Sequence, residues 1–145
     1  VDEFSTLGNI SNHIYFQAMT AFPKTNHYRD PHLLALARDR ECLLRIPGVC
    51  NQGETVAAHS NAGIHAKGKA IKAHDYFSVW ACPRCHTWLD HSYVASREER
   101  RDAFDAAYTR QLAAWLSLSI DQTETERNRR AAHDALMAYE KWRES

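Results

Sequence analysis

Four cysteines in two pairs, Cys42-x7-Cys50 and Cys82-x2-Cys85, constrain this chain more than any other feature. Each pair surrounds a turn-forming stretch, Pro47-Gly48 in the first and Pro83-Arg84 in the second, so each can direct two sulfurs at one point. Four thiolates suit a tetrahedral zinc ion, although the spacing of the first pair is looser than that of a common zinc knuckle. Two other readings stay open on the cysteines alone: buried free thiols, or a redox pair at Cys82 and Cys85. The redox reading asks for a thioredoxin-like βαβ context, which the flanking pattern does not offer. The expectation is therefore a structural zinc on Cys42, Cys50, Cys82 and Cys85.

That expectation depends on compartment. The first residues, VDEFSTLGNISNHIYF, start acidic and lack a basic start followed by an apolar block, so they do not read as a secretory signal. A cytosolic setting follows by default, and there thiols stay reduced or bind metal. No apolar run approaches the ~18 residues of a membrane span, so no membrane contact is expected. With 145 residues the chain fits one domain that can bury a core without a staple, which makes the metal local reinforcement.

There is no internal repeat, and the main change of composition falls near residue 96, after which Gly and Pro are absent. Residues 1–29 read as an arm or a short helix, 30–95 as a core module, and 96–145 as helices packed on the same domain. Asp30-Pro31 is an N-cap followed by proline at the first helical position, opening a helix through Arg40. ETVAAHS, residues 54–60, alternates as a strand with Ala57 and His59 on one face and Val56 and Ala58 on the other. Residues 61–75 read as an exposed basic loop, YFSVWAC as a second strand, and PRCHTWLDHSY as a helix. Ser96 with Glu99 makes a capping box for a helix bearing Phe104, Tyr108, Leu112 and Trp115 at helical spacing, and Thr123 with Glu126 opens a last one.

Charge is balanced overall, with 18 basic and 18 acidic residues, so the whole-protein field argues for no polyanionic partner. Between Lys24 and His74, however, eight Lys and Arg stand against four Asp and Glu, whereas from Arg97 onward nine stand against ten. A nucleic-acid face is expected in the first half, with Lys67, Lys69, Lys72 and His65 as candidate phosphate contacts. On the helix after Cys85, His86 and Asp90 lie four residues apart on one face. They can grip a second metal or form an ordinary surface pair, and the spacing alone does not choose.

ECLLRIPGVCN, then AHS, then DYFSVWACPRCHTWLD, resembles the small phage and prophage nucleases of the HNH, or ββα-metal, superfamily, which include relatives of the RecA-dependent phage nuclease. The resemblance spans roughly residues 38 to 92 and rests on the order of the pieces: a cysteine pair, a strand-end His, an acidic residue before the second strand, then C-x-x-C-H-x-x-x-D. It implies an α+β fold: a small zinc-stabilised ββα-metal module with additional N-terminal and C-terminal helices. It also implies cleavage of DNA phosphodiesters in a bacterial host cytoplasm, and carries the idea of a recombination protein as partner.

Carried over by position, His59 matches the general base, His86 and Asp90 the ligands of a catalytic divalent ion, and Asp75 falls near the place of the residue that orients the base. The chain departs from the common pattern at Ala58, where many members carry a further ligand. Two protein ligands would leave the ion largely hydrated, which suits Mg²⁺ or Mn²⁺. The alternative is a zinc-stabilised module that binds nucleic acid or protein without chemistry.

Overall fold

The computed structural model describes residues 26–145, so most of the expected N-terminal arm over 1–29 lies outside the described residues. Asp30 caps the first helix, α1 (Pro31–Ala35), its Oδ1 accepting the N–H groups of His32 and Leu33 at 3.1 Å each. The helix expected to reach Arg40 stops at Ala35 and continues as turns, with Asp39 in the left-handed region at φ 60°. The Thr55 hydroxyl sits against the carbonyls of Ala37 and Arg40, so those groups face the approach to the first strand instead of the next helical turn.

The strands are β1 (Val56–His59) and β2 (Ser78–Ala81), shorter than the sequence runs and paired antiparallel as Val56↔Ala81, Ala57↔Trp80, Ala58↔Val79 and His59↔Ser78. Strand alternation puts Ala58 and Val79 together in the core, both fully buried, and turns Ala57 and His59 the other way. Between the strands, residues 61–75 are more structured than a solvated loop. They hold a helical turn at Gly63–His65 and a bridge between Gly68 and Ile71.

Cys82 and Pro83 start α2 (Pro83–His91), and Ser96 caps α3 (Arg97–Ile120), its Oγ accepting the Glu99 N–H at 3.0 Å. On α3, Phe104, Tyr108 and Trp115 are buried as the apolar spacing predicts, while Leu112 is only partly so and Gln111 is fully enclosed. Gln111 Oε1 accepts the Trp80 N–H at 2.8 Å, and the Trp80 carbonyl accepts the Leu43 N–H at 2.8 Å. The outer edge of β2 is thereby satisfied by α3 and by the cysteine loop.

The last helix, α4 (Glu126–Glu144), is capped by Thr125, not Thr123. Thr125 Oγ1 accepts the Asn128 N–H at 3.1 Å, whereas Thr123 turns its own N–H and hydroxyl to Asp121 Oδ1. Ala131, Ala132 and Ala135 pack into the core shared with α3, and their small side chains allow close approach. The architecture is α+β, a two-stranded sheet enclosed by helices. None of the described helices is long and apolar enough to cross a membrane.

Candidate active site and metal centre

The loop after α1 and the start of α2 bring Cys42, Cys50, Cys82 and Cys85 together, with their sulfurs within 4.8 Å of one another. None of the four forms a disulfide. A tetrahedral zinc with Zn–S bonds of ~2.3 Å places its sulfurs ~3.8 Å apart, so contraction by about an ångström closes the set around an ion. The cluster can hold a metal such as zinc, and among the described residues it is the one group of three or more His, Cys, Asp or Glu so arranged. The Ile46 N–H points at Cys85 Sγ from 3.4 Å, the kind of donor that favours a thiolate.

Burial opposes charge on these sulfurs, and the outcome differs between them. At Cys82 the N–H groups of Cys85 and Asn51 and the neighbouring thiols outweigh burial and bring the pKa down to about 6. At Cys85 burial prevails and pushes the thiol up. Thiolates are the form that binds zinc, so an ion held by this cluster would displace the thiol protons.

His59, at the end of β1, meets Asp75 from the residues before β2, with Nε2 to Oδ1 at 2.8 Å. Asp75 is 2% exposed, and its Oδ2 accepts the Asp30 N–H at 2.7 Å while Arg29 Nη1 lies 3.4 Å from Oδ1. Burial alone would raise the Asp75 pKa, but hydrogen bonds from His59 and the Asp30 backbone and the nearby His59 and Arg29 charges hold it below the ordinary carboxylate value. An ionised carboxylate only accepts, so neutral His59 carries its proton on Nε2 and keeps the Nδ1 lone pair free.

One α-helical turn joins the second pair. His86 Nε2 lies 3.0 Å from Asp90 Oδ2, and Asn61 Nδ2 donates to Asp90 Oδ1 at 2.8 Å. Burial would raise the Asp90 pKa as well, yet the hydrogen bonds from His86 and Asn61 and the charges of His86 and His91 lower it. The 3.0 Å spacing is that of an ordinary His–Asp hydrogen bond, and it equally allows both groups to reach adjacent positions of an octahedral ion with ~2.1 Å bonds, so the distance does not choose between the two readings of the pair. Asn61 belongs to this site and the sequence reading missed it, because an asparagine in a loop carries no signal until its partner is known.

His59, His86 and Asp90 line one groove of about 510 Å³, together with Arg38, Lys67 and Lys72. Lys69 is exposed and lines no part of it. His65 leaves the set of phosphate contacts expected from the sequence. Its ring stacks on Phe77 with centroids 3.8 Å apart, Ser60 Oγ lies 2.7 Å from its Nδ1, and burial, helped by Arg101 and His74, lowers its pKa to about 4. A neutral, packed imidazole holds the loop and offers no cation. Ala58 points into the core beside Val79, on the strand face opposite His59, so the departure there removes nothing from the groove.

A family model described as "Putative nuclease YbcO" matches residues 32–120. Relatives of that name from Escherichia coli (strain K12) and Enterobacteria phage 82 are each 34% identical over 79 residues, covering 53% of this chain and 73% of theirs. The solved "Structure of a putative bacteriophage protein from Escherichia coli str. K-12 substr. MG1655" is 28% identical with a TM-score of 0.45, covering 59% of this chain and 98% of that one. The matched span runs from α1 to the end of α3 and contains all four cysteines and both His–Asp pairs. By that match the chain belongs to the YbcO family of putative nucleases.

Proposed function

We propose that this chain is a metal-dependent endonuclease that hydrolyses phosphodiester bonds in DNA with little sequence preference. In this reading His59 is the general base, Asp75 its orienting carboxylate, His86 and Asp90 the ligands of one Mg²⁺ or Mn²⁺ ion, and the four cysteines the ligands of a structural zinc. The observation that supports it is convergence: His59, hydrogen-bonded to Asp75, and the separate His86–Asp90 pair line one groove together with Arg38, Lys67 and Lys72.

The chemistry follows from those positions. His59 Nδ1 takes the proton from a water whose oxygen forms a new bond to phosphorus as the bond to the leaving oxygen breaks on the opposite side, and that oxygen is then protonated from solvent. Asp75 stabilises the imidazolium that results and holds the ring in place. Lys67, Lys72 and Arg38 attract the phosphate backbone, which is the same for every sequence. A divalent ion, when bound at His86 and Asp90, supplies positive charge against the transition state and the leaving oxygen.

Plasmid incubated with purified protein tests the reading. Nicking is expected with Mg²⁺ or Mn²⁺ and not without them. His59→Ala should lower the rate ~10²- to 10⁴-fold, the usual loss on removing a general base. Cleavage that needs no added ion, or that survives unchanged in both His59→Ala and Asp90→Ala, overturns it. A folded protein that binds DNA and never cuts it is the binding module of the alternative.

A further inference from the structure

A second cavity, of about 310 Å³, lies on the far side of Asp90 from the groove. Ser60, Asn61 and Asp90 line both, so the two meet along that ridge. The opposite wall is one face of the start of α3, carrying Arg97, Arg100, Arg101, Phe104 and Asp105. Three guanidinium groups there face two carboxylates, Asp90 and Asp105.

The three arginines are not equivalent. Arg100 Nη1 donates to the carbonyls of Leu89 at 3.1 Å and Asp90 at 3.5 Å, tying α3 to the end of α2, and its Nε is buried without a partner. Although the charge of Arg101 acts on Asp105 and on His65, Arg97 and Arg101 are exposed and form no hydrogen bond or close ion pair among the described residues. Their placement works against the helix. Like charges four residues apart repel, and positive charge in the first turns opposes the helix dipole, each at about 0.2–1 kcal/mol. Glu98 and Glu99 offset part of this but do not line the cavity. Arg101 also stands four residues before Asp105, whose carboxylate its charge favours, so helix stability accounts for part of Arg101 but gives no reason for Arg97, whereas an anion in the cavity gives one for both.

We propose that this cleft holds a second phosphodiester of the bound DNA, flanking the one at His59, with Arg97 and Arg101 as its ligands. The proposal rests on the nuclease reading and extends it: the backbone runs from Lys67 and Lys72, across Asn61 and Asp90, to the start of α3. Cations from two regions of the chain then clamp the phosphates on either side of the ion-binding pair.

The test uses the full chain and a labelled DNA duplex, with affinity measured between about 50 and 200 mM salt without added Mg²⁺ or Mn²⁺. The paired variant Arg97→Gln/Arg101→Gln should lower the slope of log affinity against log salt by about 1, the share of the one phosphate it no longer neutralises, while Arg97→Lys/Arg101→Lys retains it. With Mn²⁺ added, the Gln pair should show its loss as a raised KM. Its melting temperature should stay close to that of the parent, because relief of the Arg97–Arg101 repulsion offsets the lost attraction between Arg101 and Asp105; a clearly lower one would mean that the arginines serve the helix, and counts against the cleft.

A parent that binds and cuts, beside a Gln pair with an unchanged salt slope, overturns the cleft and leaves the nuclease reading standing. A parent that binds without cutting, beside a Gln pair with a reduced slope, upholds the cleft and removes the chemistry. A parent that neither binds nor cuts overturns both.

Discussion

Replacing Asp75 by Asn tests how His59 is held, because the two oxygens of that carboxylate have different duties. Oδ2 accepts the Asp30 N–H at 2.7 Å and Oδ1 meets His59 Nε2 at 2.8 Å. An Asn that keeps its oxygen toward Asp30 must turn its NH₂ toward His59, which makes Nε2 the acceptor and moves the ring proton to Nδ1, where it blocks the base. The flipped amide restores Nε2–H but leaves the Asp30 N–H facing an NH₂, at about 1–3 kcal/mol for an unsatisfied buried donor. Arg29 Nη1, 3.4 Å from Oδ1, opposes the blocking orientation only weakly. A bias of 1–3 kcal/mol populates the wrong tautomer by about 5- to 150-fold, so single-turnover cleavage should slow by roughly 10- to 100-fold. Asp75 acts through His59, and Asp75→Asn/His59→Ala should therefore cut no more slowly than His59→Ala alone. An Asp75→Asn enzyme within about twofold of the parent, or losses that multiply in the double variant, would refute this account.

Protein purified without chelator should carry one zinc per chain by elemental analysis, and Cys85→Ala should lose it and melt far lower, since structural zinc contributes on the order of 10 kcal/mol in small domains; zinc-free, stable parent protein would remove the site. Asp90→Ala should bind Mn²⁺ at least about tenfold more weakly by titration calorimetry with zinc content unchanged, and Asn61→Ala should weaken it about 10- to 100-fold by freeing the ligand it holds. Neither loss is expected if the ion binds elsewhere. His65 folds with its pKa lowered from 6.5 to about 4, so below pH 6.5 the unfolded chain binds more protons than the folded one and stability falls as pH drops toward 4. His65→Phe, which keeps a ring against Phe77, should flatten that fall in urea midpoints; a slope remains from His74, lowered for the same reason of burial, and an unchanged slope would show that His65 does not carry it.

What the sequence displayed was what depends on near neighbours. Asp30 with Pro31 and Ser96 with Glu99 are caps built within a few residues, and the cysteine pairs declare their chemistry by side-chain type and turn. The end of α1 depends on Thr55, which lies beyond the whole cysteine loop, so local pattern extends that helix too far. Asn61 and Asp90 are 29 positions apart and meet only once the hairpin and α2 have formed. Counting charge along the chain also misleads in two directions. It credits His65 with a positive charge that packing against Phe77 takes away, and it sets the arginines at the start of α3 against Glu98 and Glu99, which do not line their cavity. In both cases the physics lies in which face a side chain occupies.

The sulfur cluster and the groove share their scaffold. Cys82 and Cys85 stand at the start of α2, His86 follows immediately, and Asp90 lies one turn further on, so whatever fixes the first turn of α2 also fixes the His86–Asp90 pair. On the other side, His59 is located by its register opposite Ser78, and β2 runs from there directly into Cys82. The path from His59 to His86 and Asp90 therefore passes through one short strand and one sulfur cluster. The cysteine loop is pinned to that path from outside: Leu43 pairs with Trp80, and Arg110 Nε donates to the Leu43 carbonyl at 2.8 Å from α3. An ion on the four sulfurs would convert this corner from a set of individually weak contacts into a rigid joint, and α3 would brace it without entering the groove. The two His–Asp pairs can then differ in character. His59 and Asp75 are enclosed, with 14% and 3% of their side chains exposed, which suits a base whose tautomer must not change. His86 and Asp90, at 35% and 30%, stay open to water, which suits ligands of an ion that keeps most of its hydration.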